Sequence, residues 1–336
     1  MKMKAFQKQL YLFIGVAAIV NAQLTQFQAL QAFYSDTNGG VSWSDATWDF
    51  SAGEGSTDLC TFSYVTCIAS VVTELNMTGV NLDGTLASSV IEGFADFTSL
   101  DLSRNYLLTG TIPTEIGILS LLEYLSISRT SLSGTIPTEF GQLSQLYQFD
   151  LGPVPYVTGT LPSEFGQLTS LSYMDISRSN LSGNIPSELG TMTNMRKLYL
   201  YTNSFGGTLP RELGNLSQLD RFELDSNSLS GTIPSQLGLL SSLSRLELDS
   251  NSFTGTIPSQ LGLLSSLTIV ELDTNSLSGA IPSEIGLLSN LDQLWLYVSI
   301  QFVTHSWFVF YACCLQLYIL PSSFILLYFV LNFHSK

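Results

Sequence analysis

One segment near the middle of the chain carries a pattern that the neighbouring segments share. It reads Leu243-Ser-Arg-Leu246-Glu-Leu248-Asp-Ser-Asn251-Ser-Phe253-Thr-Gly255-Thr-Ile257-Pro258-Ser-Gln-Leu261-Gly262. Its first part alternates apolar and polar residues, which predicts a short strand whose inward side chains are Leu246 and Leu248. The outward side chains of that strand are then Arg245, Glu247 and Asp249.

The same pattern recurs about every 24 residues, and each period ends in Ile-Pro or Leu-Pro. These prolines are Pro113, Pro137, Pro162, Pro186, Pro210, Pro234, Pro258 and Pro282. All but one of the spacings are 24 residues, and the exception is 25. Self-similarity at such a period indicates a solenoid, in which each coil covers the apolar interior of its neighbour. A solenoid offers an extended surface, which favours a function in binding.

An asparagine recurs three residues after the strand in several coils. These residues are Asn105, Asn203, Asn227, Asn251 and Asn275. A buried amide at a fixed place must be hydrogen-bonded, so we expect a structural ladder with backbone groups of its own coil and the next. Loss of one amide would leave groups unpaired, at about 1–3 kcal/mol.

The repeat resembles the plant-type leucine-rich repeat, L-x-x-L-x-L-x-x-N-x-L-S-G-x-I-P-x-x-L-G-x-L, in about nine coils over residues 70–297. This resemblance implies an α/β solenoid, a leucine-rich repeat horseshoe or superhelix with a concave parallel β-sheet. Residues 23–69 resemble the N-terminal cap of plant-type leucine-rich repeat receptors, with an amphipathic helix around Leu24–Tyr34. The family's C-x-W-x-G-V-x-C motif appears from Cys60 to Cys67, with Phe62 for Trp and Tyr64 for Gly.

The capping motif implies a disulfide between Cys60 and Cys67. Metal binding is the alternative, but no His or further Cys lies nearby in the sequence. Residues 1–22 predict a secretory signal, with three lysines followed by an apolar stretch and a plausible cleavage site. Three N-x-S/T sequences agree with an extracellular chain and predict N-glycosylation at Asn76, Asn180 and Asn215.

The balance of charge is strongly acidic. Of the 12 Lys and Arg, three lie in the signal and one is Lys336, which leaves 8 against 27 Asp and Glu. Such a chain repels nucleic acid. An acidic surface favours solubility and cationic partners.

The tail, residues 298–336, has a different composition from the repeats. No Asp, Glu, Lys or Arg occurs between Gln293 and Ser335, and residues 307–333 are long and apolar enough to predict a transmembrane helix. Mistranslated intron sequence and a buried pair of strands are the alternatives. The predicted location is the secretory pathway and the outward face of the plasma membrane, or secretion if the tail is not genuine.

The sequence contains no constellation of catalytic residues. Both histidines, His305 and His334, lie in the tail, and no zinc-ligand spacing or phosphate-binding loop is present. We therefore predict a protein that is not an enzyme and that uses no cofactor or metal. Signalling would require a partner, such as a co-receptor, because no protein kinase follows the tail.

The outward strand positions are the candidate binding site, because successive coils place their side chains in columns about 5 Å apart. Six carboxylates are expected to form an acidic patch, flanked by two arginines and bordered by three tyrosines. The candidate residues are Glu223, Asp225, Glu247, Asp249, Glu271, Asp273, Arg221, Arg245, Tyr173, Tyr199 and Tyr201. The patch would bind a basic peptide, a basic protein or Ca²⁺; a solvated acidic face without a ligand is the alternative.

The leading functional hypothesis is a membrane-anchored extracellular recognition protein, similar to plant receptor-like proteins, that binds a peptide, glycan or protein. A secreted binder similar to polygalacturonase-inhibiting proteins is the second hypothesis. A structural wall or surface protein is a third, since the coils from about 190 to 290 are nearly identical.

Overall fold

The alternating apolar pattern forms a short parallel strand in each coil of the computed structural model, which describes residues 26–38, 48–53, 57–298, 313–319 and 325–329. In the coil quoted above, the strand is Arg245–Glu247, and both Leu246 and Leu248 are fully buried. Burial of one leucine contributes about 1.5–3 kcal/mol relative to exposure. The chain divides into two units, Met1–Tyr156 and Val157–Lys336.

The first unit begins with the capping helix that the sequence predicts, which spans residues 26–36. Phe27, Leu30 and Phe33 are buried on one face of this helix. The side-chain amide of Gln26 pairs with the backbone of Val72, accepting from its N–H at 3.0 Å and donating to its carbonyl at 2.9 Å. The helix is thereby fastened to the first long strand of the sheet.

The rest of the cap is held by a disulfide and by aromatic stacking. Cys60 and Cys67 are bonded to each other. The ring of Phe62 stacks on Trp48 at 5.2 Å between centroids, and the indole Nε1 of Trp48 donates to the carbonyl of Ser63 at 3.0 Å. Phe62 therefore supplies an aromatic contact at the position where the family motif has Trp.

The main sheet of the first unit has one antiparallel and several parallel pairs of strands. Its strands are Val65–Ile68, Val71–Asn76, Ser99–Asp101, Tyr124–Ser126 and Gln148–Asp150. The first two strands are antiparallel, and each strand from the second onward pairs in parallel with the next. A short α-helix, Ser88–Glu92, returns the chain in the first coil.

The main sheet of the second unit continues the same arrangement. Its parallel strands are Tyr173–Asp175, Lys197–Tyr199, Arg221–Glu223, Arg245–Glu247, Ile269–Glu271 and Gln293–Val298. Two antiparallel strands follow, Cys313–Ile319 against the last parallel strand and Ile325–Phe329 against Cys313–Ile319. The predicted solenoid, with a parallel sheet and an N-terminal capping helix, is confirmed.

The tail differs from its prediction as a transmembrane helix over residues 307–333. The residues described there are the two antiparallel strands, and the remainder of that segment lies outside the described residues. Among the described residues, no helix is both long and apolar enough to cross a membrane. The open edge of the strand Gln293–Val298 offers unpaired backbone groups, and a run rich in aromatic residues can satisfy them as a strand.

Short 3-10 helices carry the chain back toward the sheet, and in the repeats each of them follows the recurring proline. In the first unit they are Thr114–Ile118 and Thr138–Gln142, and another 3-10 turn, Leu59–Thr61, lies in the cap. In the second unit they are Ser163–Gln167, Ser187–Thr191, Arg211–Asn215, Ser235–Leu239, Ser259–Leu263 and Ser283–Leu287.

A set of outer strands, which the sequence analysis did not predict, runs along the side of each unit. In the first unit these strands are Asp83–Thr85, Leu107–Thr109 and Ser133–Thr135. In the second they are Tyr156–Thr160, Asn180–Asn184, Ser204–Gly206, Ser230–Thr232, Ser252–Gly255 and Ser276–Leu277. They pair in parallel with their neighbours, as Ser230–Thr232 does with Ser252–Gly255.

The recurring asparagines connect neighbouring coils. The Nδ2 of Asn105 donates to the carbonyl of Leu102 in its own coil at 2.9 Å and to the carbonyl of Met77 in the preceding coil at 2.8 Å. Its Oδ1 accepts from the N–H of Leu82, also in the preceding coil, at 3.0 Å. The partner coil is thus the preceding one, where the sequence analysis expected the next.

The other four asparagines make the same set of bonds in the second unit. For Asn251, the acceptors are the carbonyls of Leu224, Leu248 and Asp249, and the donor is the N–H of Leu229. Asn105 is fully buried, whereas Asn203, Asn227, Asn251 and Asn275 are half-buried.

Candidate functional site

Solvent-facing side chains on the parallel sheet of the second unit form a surface that we call the strand face. Strand pairing places Glu223 beside Glu247 and Glu247 beside Glu271, which are the neighbours that the sequence spacing predicts. Because adjacent parallel strands are about 4.8 Å apart, the three glutamates form a continuous line, the Glu row.

A second line of carboxylates, the Asp row, consists of Asp225, Asp249 and Asp273. The N–H of Ser226 donates to the carbonyl of Asp249 at 3.1 Å, and the N–H of Ser250 donates to that of Asp273 at 3.1 Å. These backbone bonds keep the row in register beyond the ends of the strands. Each carboxylate also accepts a hydrogen bond from the hydroxyl of the next residue, at 3.1 or 3.2 Å.

Arg245 lies among the glutamates of the Glu row. Its Nε is 3.6 Å from Oε1 of Glu223 and forms an ion pair with Glu247, and its Nη2 is 4.0 Å from Oε1 of Glu271. Arg245 therefore borders the patch on the side of the Glu row, and its guanidinium reaches three of the six carboxylates. Residues i and i+2 of a strand point to the same side, which brings Arg245 next to Glu247 and leaves that glutamate only 8% exposed.

Partial burial raises the pKa of several carboxyl groups on the strand face. Burial is the largest cause for Glu223, whose pKa rises to about 7, and the charge of Glu247 adds to it. Burial and the charge of Glu247 likewise raise the pKa of Glu271 to about 7. For Asp249, burial and the neighbouring carboxylates raise the pKa to about 6. The strand face therefore becomes more negative as the pH rises from about 5 to about 8.

One carboxylate oxygen of the Asp row has its hydrogen-bonding capacity unused. The Oδ1 of Asp225 is buried and accepts no hydrogen bond from any residue that the structure describes. Burial is also the main reason why the pKa of Asp225 is raised. An unpaired buried acceptor is unfavourable by about 1–3 kcal/mol, so this oxygen is a local cost to the folded protein.

Aromatic and basic side chains border the carboxylates on the side of the earlier coils. The rings of Tyr173 and Tyr199 meet edge to face at 5.7 Å between centroids, and those of Tyr199 and Tyr201 at 6.4 Å. The guanidinium of Arg178 lies over the ring of Tyr201, 5.5 Å from its centroid. The three predicted tyrosines are therefore one contiguous cluster.

Two basic residues near this cluster were missed in the sequence analysis. Lys197 pairs across strands with Tyr173 on one side and with Arg221 on the other, so it belongs to the strand face. The outward position of Lys197 on its strand was enough to predict from the sequence that it lies on this surface. Arg178 has a positive φ of 54° just after its strand, a conformation that the alternating pattern does not predict.

Arg221 is exposed, and its Nε is 4.0 Å from Oδ2 of Asp220, which is not part of either row.

The predicted glycosylation sites are accessible, since Asn76, Asn180 and Asn215 are all exposed. Glycosylation at these asparagines stays a prediction. The predicted signal, residues 1–22, and the two histidines lie outside the described residues. Over the described part of the chain, no cluster of three or more His, Cys, Asp or Glu is arranged to hold a metal ion.

Comparisons with known proteins agree with this architecture. A family model described as "Leucine-rich repeat region" matches residues 70–208, and another described as "Leucine Rich Repeat" matches residues 242–264. The ectodomain of the Arabidopsis thaliana receptor kinase GASSHO1/SCHENGEN3, solved with CASPARIAN STRIP INTEGRITY FACTOR 2, is similar with a TM-score of 0.71 and 33% identity. That match covers 80% of this chain and 32% of the ectodomain.

Two further similar structures are of proteins whose binding partners are known. The Arabidopsis receptor kinase HAESA, in complex with the peptide hormone IDA and the co-receptor SERK1, matches with a TM-score of 0.65 and 27% identity over 81% of this chain and 49% of its own. A plant ice-binding protein matches with a TM-score of 0.63 and 25% identity over 80% of this chain and 91% of its own. The chain thus spans a third to a half of the two receptor ectodomains, and nearly the whole of the ice-binding protein.

Proposed function

The chain belongs to the plant-type leucine-rich repeat proteins, and we propose from this that it is an extracellular recognition protein. Its ligand is a basic peptide or a basic segment of a protein, bound on the strand face. The similar receptor ectodomains, solved with a peptide hormone and a co-receptor in one case, support a peptide or protein ligand. They also support a signalling partner of the co-receptor kind.

The observation that carries this proposal is the excess of negative charge on the strand face, where strand pairing aligns the carboxylates in rows. Six carboxylates of the Glu and Asp rows have one arginine, Arg245, among them. An ammonium or guanidinium group of a ligand supplies positive charge that offsets this excess, and it donates hydrogen bonds to the accessible carboxylate oxygens. Charge-assisted hydrogen bonds of this kind are about twice as strong as neutral ones.

The residues at the border of the strand face favour one orientation of a bound peptide. Tyr199 and Tyr201 offer aromatic surfaces on which a planar guanidinium or a ring can stack, as Arg178 already does on Tyr201. Lys197 and Arg221 lie on neighbouring strands and attract negative groups. We therefore expect the basic end of a peptide over the Asp row and its acidic end near these two cations.

Removing charge from the Asp row tests this assignment. Binding of a synthetic nona-arginine peptide to the double variant Asp225→Asn, Asp249→Asn should be weaker by about tenfold or more, equivalent to about 1.4 kcal/mol. The same change at Asp292→Asn, an exposed aspartate outside both rows, should leave the affinity unchanged. Titration calorimetry at two salt concentrations measures the effect, and equal affinities for all three proteins would refute the proposal.

Binding of the same peptide should also depend on pH. The pKa of Glu223 and of Glu271 is about 7, so both groups are largely protonated at pH 5.5 and ionised at pH 8. A cationic ligand favours the ionised forms, hence affinity should rise between these two pH values and protons should be released on binding. The variant Glu223→Gln should show a smaller rise; a slope equal to that of the unaltered protein would contradict this role.

Attachment to the plasma membrane through residues 307–333 is supported by their apolar composition alone. Fractionation of cells that express the full chain tests it directly. Recovery in the membrane pellet after alkaline extraction is the expected result for an anchored protein. Recovery in the medium would instead support a secreted recognition protein.

A second candidate function is binding to ice. The solved ice-binding protein is similar over 91% of its length, so the likeness extends to nearly the whole of that protein. The described outer strands of the second unit also present a regular series of uncharged hydroxyl groups, as ice-binding requires. Incorporation of the full chain into slowly growing ice tests this function.

A further inference from the structure

Two neighbouring coils of the second unit carry a hydroxyl motif along the outer strands, Ser or Thr, then Gly, then Thr, at residues 230–232 and 254–256. The coils on either side carry part of it, Gly-Gly-Thr at 206–208 and Ser-Gly-Ala at 278–280. Parallel pairing places Thr232 beside Thr254, and a bridge places Thr208 beside Ser230. Steps along a strand span about 6.6 Å and steps between strands about 4.8 Å. Alternating these steps gives one zigzag line, the hydroxyl row, formed by Thr208, Ser230, Thr232, Thr254, Thr256 and Ser278.

The serine and threonine that begin each motif are tied to the preceding coil. The hydroxyl of Ser230 donates to the carbonyl of Gly207 at 3.2 Å, that of Thr254 to Gly231 at 3.2 Å, and that of Ser278 to Gly255 at 3.3 Å. Each bond holds one hydroxyl-bearing side chain in place and also joins its coil to the preceding coil. This half of the hydroxyl row is therefore held at a constant repeat.

The threonines that end each motif are held in a different way. A Cβ built on Gly255 would be 2.9 Å from Cγ2 of Thr232, so the methyl group occupies the space that the glycine leaves open. Gly279 has the same relation to Thr256. Thr208, Thr232 and Thr256 are exposed, and their hydroxyls form no hydrogen bond with any described residue.

The surroundings of the hydroxyl row carry almost no charge. An open groove of about 800 Å³ is lined by three residues of the row, Thr208, Thr232 and Thr256, and by Pro234 and Pro258. The one charged residue that lines this groove is Arg211, which is paired with Glu212 at 3.1 Å. This region contrasts with the net charge of −15 of the whole chain, and suits a neutral partner.

We infer that the hydroxyl row and its groove are the surface that contacts ice, an inference that rests on the second candidate function. Ice presents neutral water molecules at fixed and repeating distances, and each can accept from or donate to a hydroxyl. Side chains that are already ordered lose little entropy when they meet such a lattice. The methyl groups of Thr208, Thr232 and Thr256 pack on the glycines of the next coil, which orients the hydroxyl-bearing side chains.

Incorporation into ice distinguishes this surface from the others. The full chain and its variants are frozen slowly from solution, and the protein in the ice fraction is measured. Thr232→Lys and Thr256→Lys should each lower incorporation by about tenfold or more, a change equivalent to about 1.4 kcal/mol of binding. The matched control Thr193→Lys, at an exposed threonine outside the row, should behave like the unaltered chain. Circular dichroism confirms that each variant is folded, and Thr232→Val separates the hydroxyl from the shape of the side chain.

Each outcome has a separate meaning. Loss in the two row variants with retention in Thr193→Lys supports the inference. Incorporation of the unaltered chain and of both row variants alike would overturn the inference while leaving the ice-binding function in place. Exclusion of the unaltered chain from ice would overturn both. Binding to insoluble cellulose that depends on Thr232, without entry into ice, would make the groove a polysaccharide site and likewise overturn the inference.

Discussion

Replacing Arg245 by methionine should destabilise the protein by about 3 kcal/mol at pH 8, the order expected when one partner of a partly buried ionic cluster is removed. Arg245 reaches Glu223, Glu247 and Glu271, and no other cation lies within ion-pair distance of these three in the described part of the chain. Methionine keeps much of the packing volume, so the loss reports on charge.

The loss should shrink in acid. The pKa values of Glu223 and Glu271 are raised in the folded protein, so the folded state binds more protons than the unfolded state between about pH 5 and pH 7. Their contribution to stability is therefore present in acid and falls as the pH rises. Without Arg245 this fall becomes steeper, because the ionised glutamates then repel each other uncompensated.

Denaturant unfolding at pH 5 and at pH 8 measures both effects. Arg221→Met is the control, since Arg221 is exposed and its ion pair with Asp220 is long, at 4.0 Å. Its effect should stay below about 0.5 kcal/mol, as for most surface ion pairs. Equal destabilisation by Arg245→Met at both pH values would show that packing, and not charge, accounts for the loss.

Replacing Asn105 by alanine should destabilise the first unit by about 3 kcal/mol, because a fully buried amide leaves several backbone groups unpaired. The groups left without their partner are the N–H of Leu82 and the carbonyls of Met77 and Leu102. Two of these belong to the preceding coil, so the contact between coils weakens as well.

Threonine at the same position provides a graded comparison. The corresponding residue in the next coil is Thr130, whose hydroxyl makes one bond, to the carbonyl of Ile127 at 2.9 Å. Asn105→Thr should therefore lose less stability than Asn105→Ala. Asn290→Ala, which removes one exposed hydrogen bond to Ser265, should change stability by no more than about 0.5 kcal/mol. Thermal unfolding of the three variants measures their loss of stability. If Asn105→Ala lost no more stability than Asn290→Ala, the stabilising role of the asparagine ladder would be refuted.

The sequence predicted the strand register well for a physical reason. When coils repeat every 24 residues, equivalent residues must become neighbours in the sheet, as Glu223, Glu247 and Glu271 do. Side-chain direction within a strand was equally predictable, since Leu246 and Leu248 are buried. Periodicity does not reveal how a long side chain bends, so the reach of the Arg245 guanidinium to three glutamates was not predicted.

The outer strands were missed because glycine hides their pattern. Gly255 has a φ of 77°, which is left-handed, and propensity rules associate such a residue with a turn. The hydroxyl residues on either side of it nevertheless pair with neighbouring coils. In the tail, composition predicted a helix, whereas the described residues extend the sheet by pairing with its last parallel strand.

The near-identity of the coils around Arg221–Glu223, Arg245–Glu247 and Ile269–Glu271 makes the second unit modular. The stability of such a stack is approximately a sum over nearest neighbours, so an insertion or deletion of one whole coil replaces an interface by an equivalent one. Gene duplication or unequal recombination could then alter the number of coils without a new folding problem. Each added coil would extend both faces together, two carboxylates on one and two hydroxyls on the other, so that selection could adjust avidity through length alone.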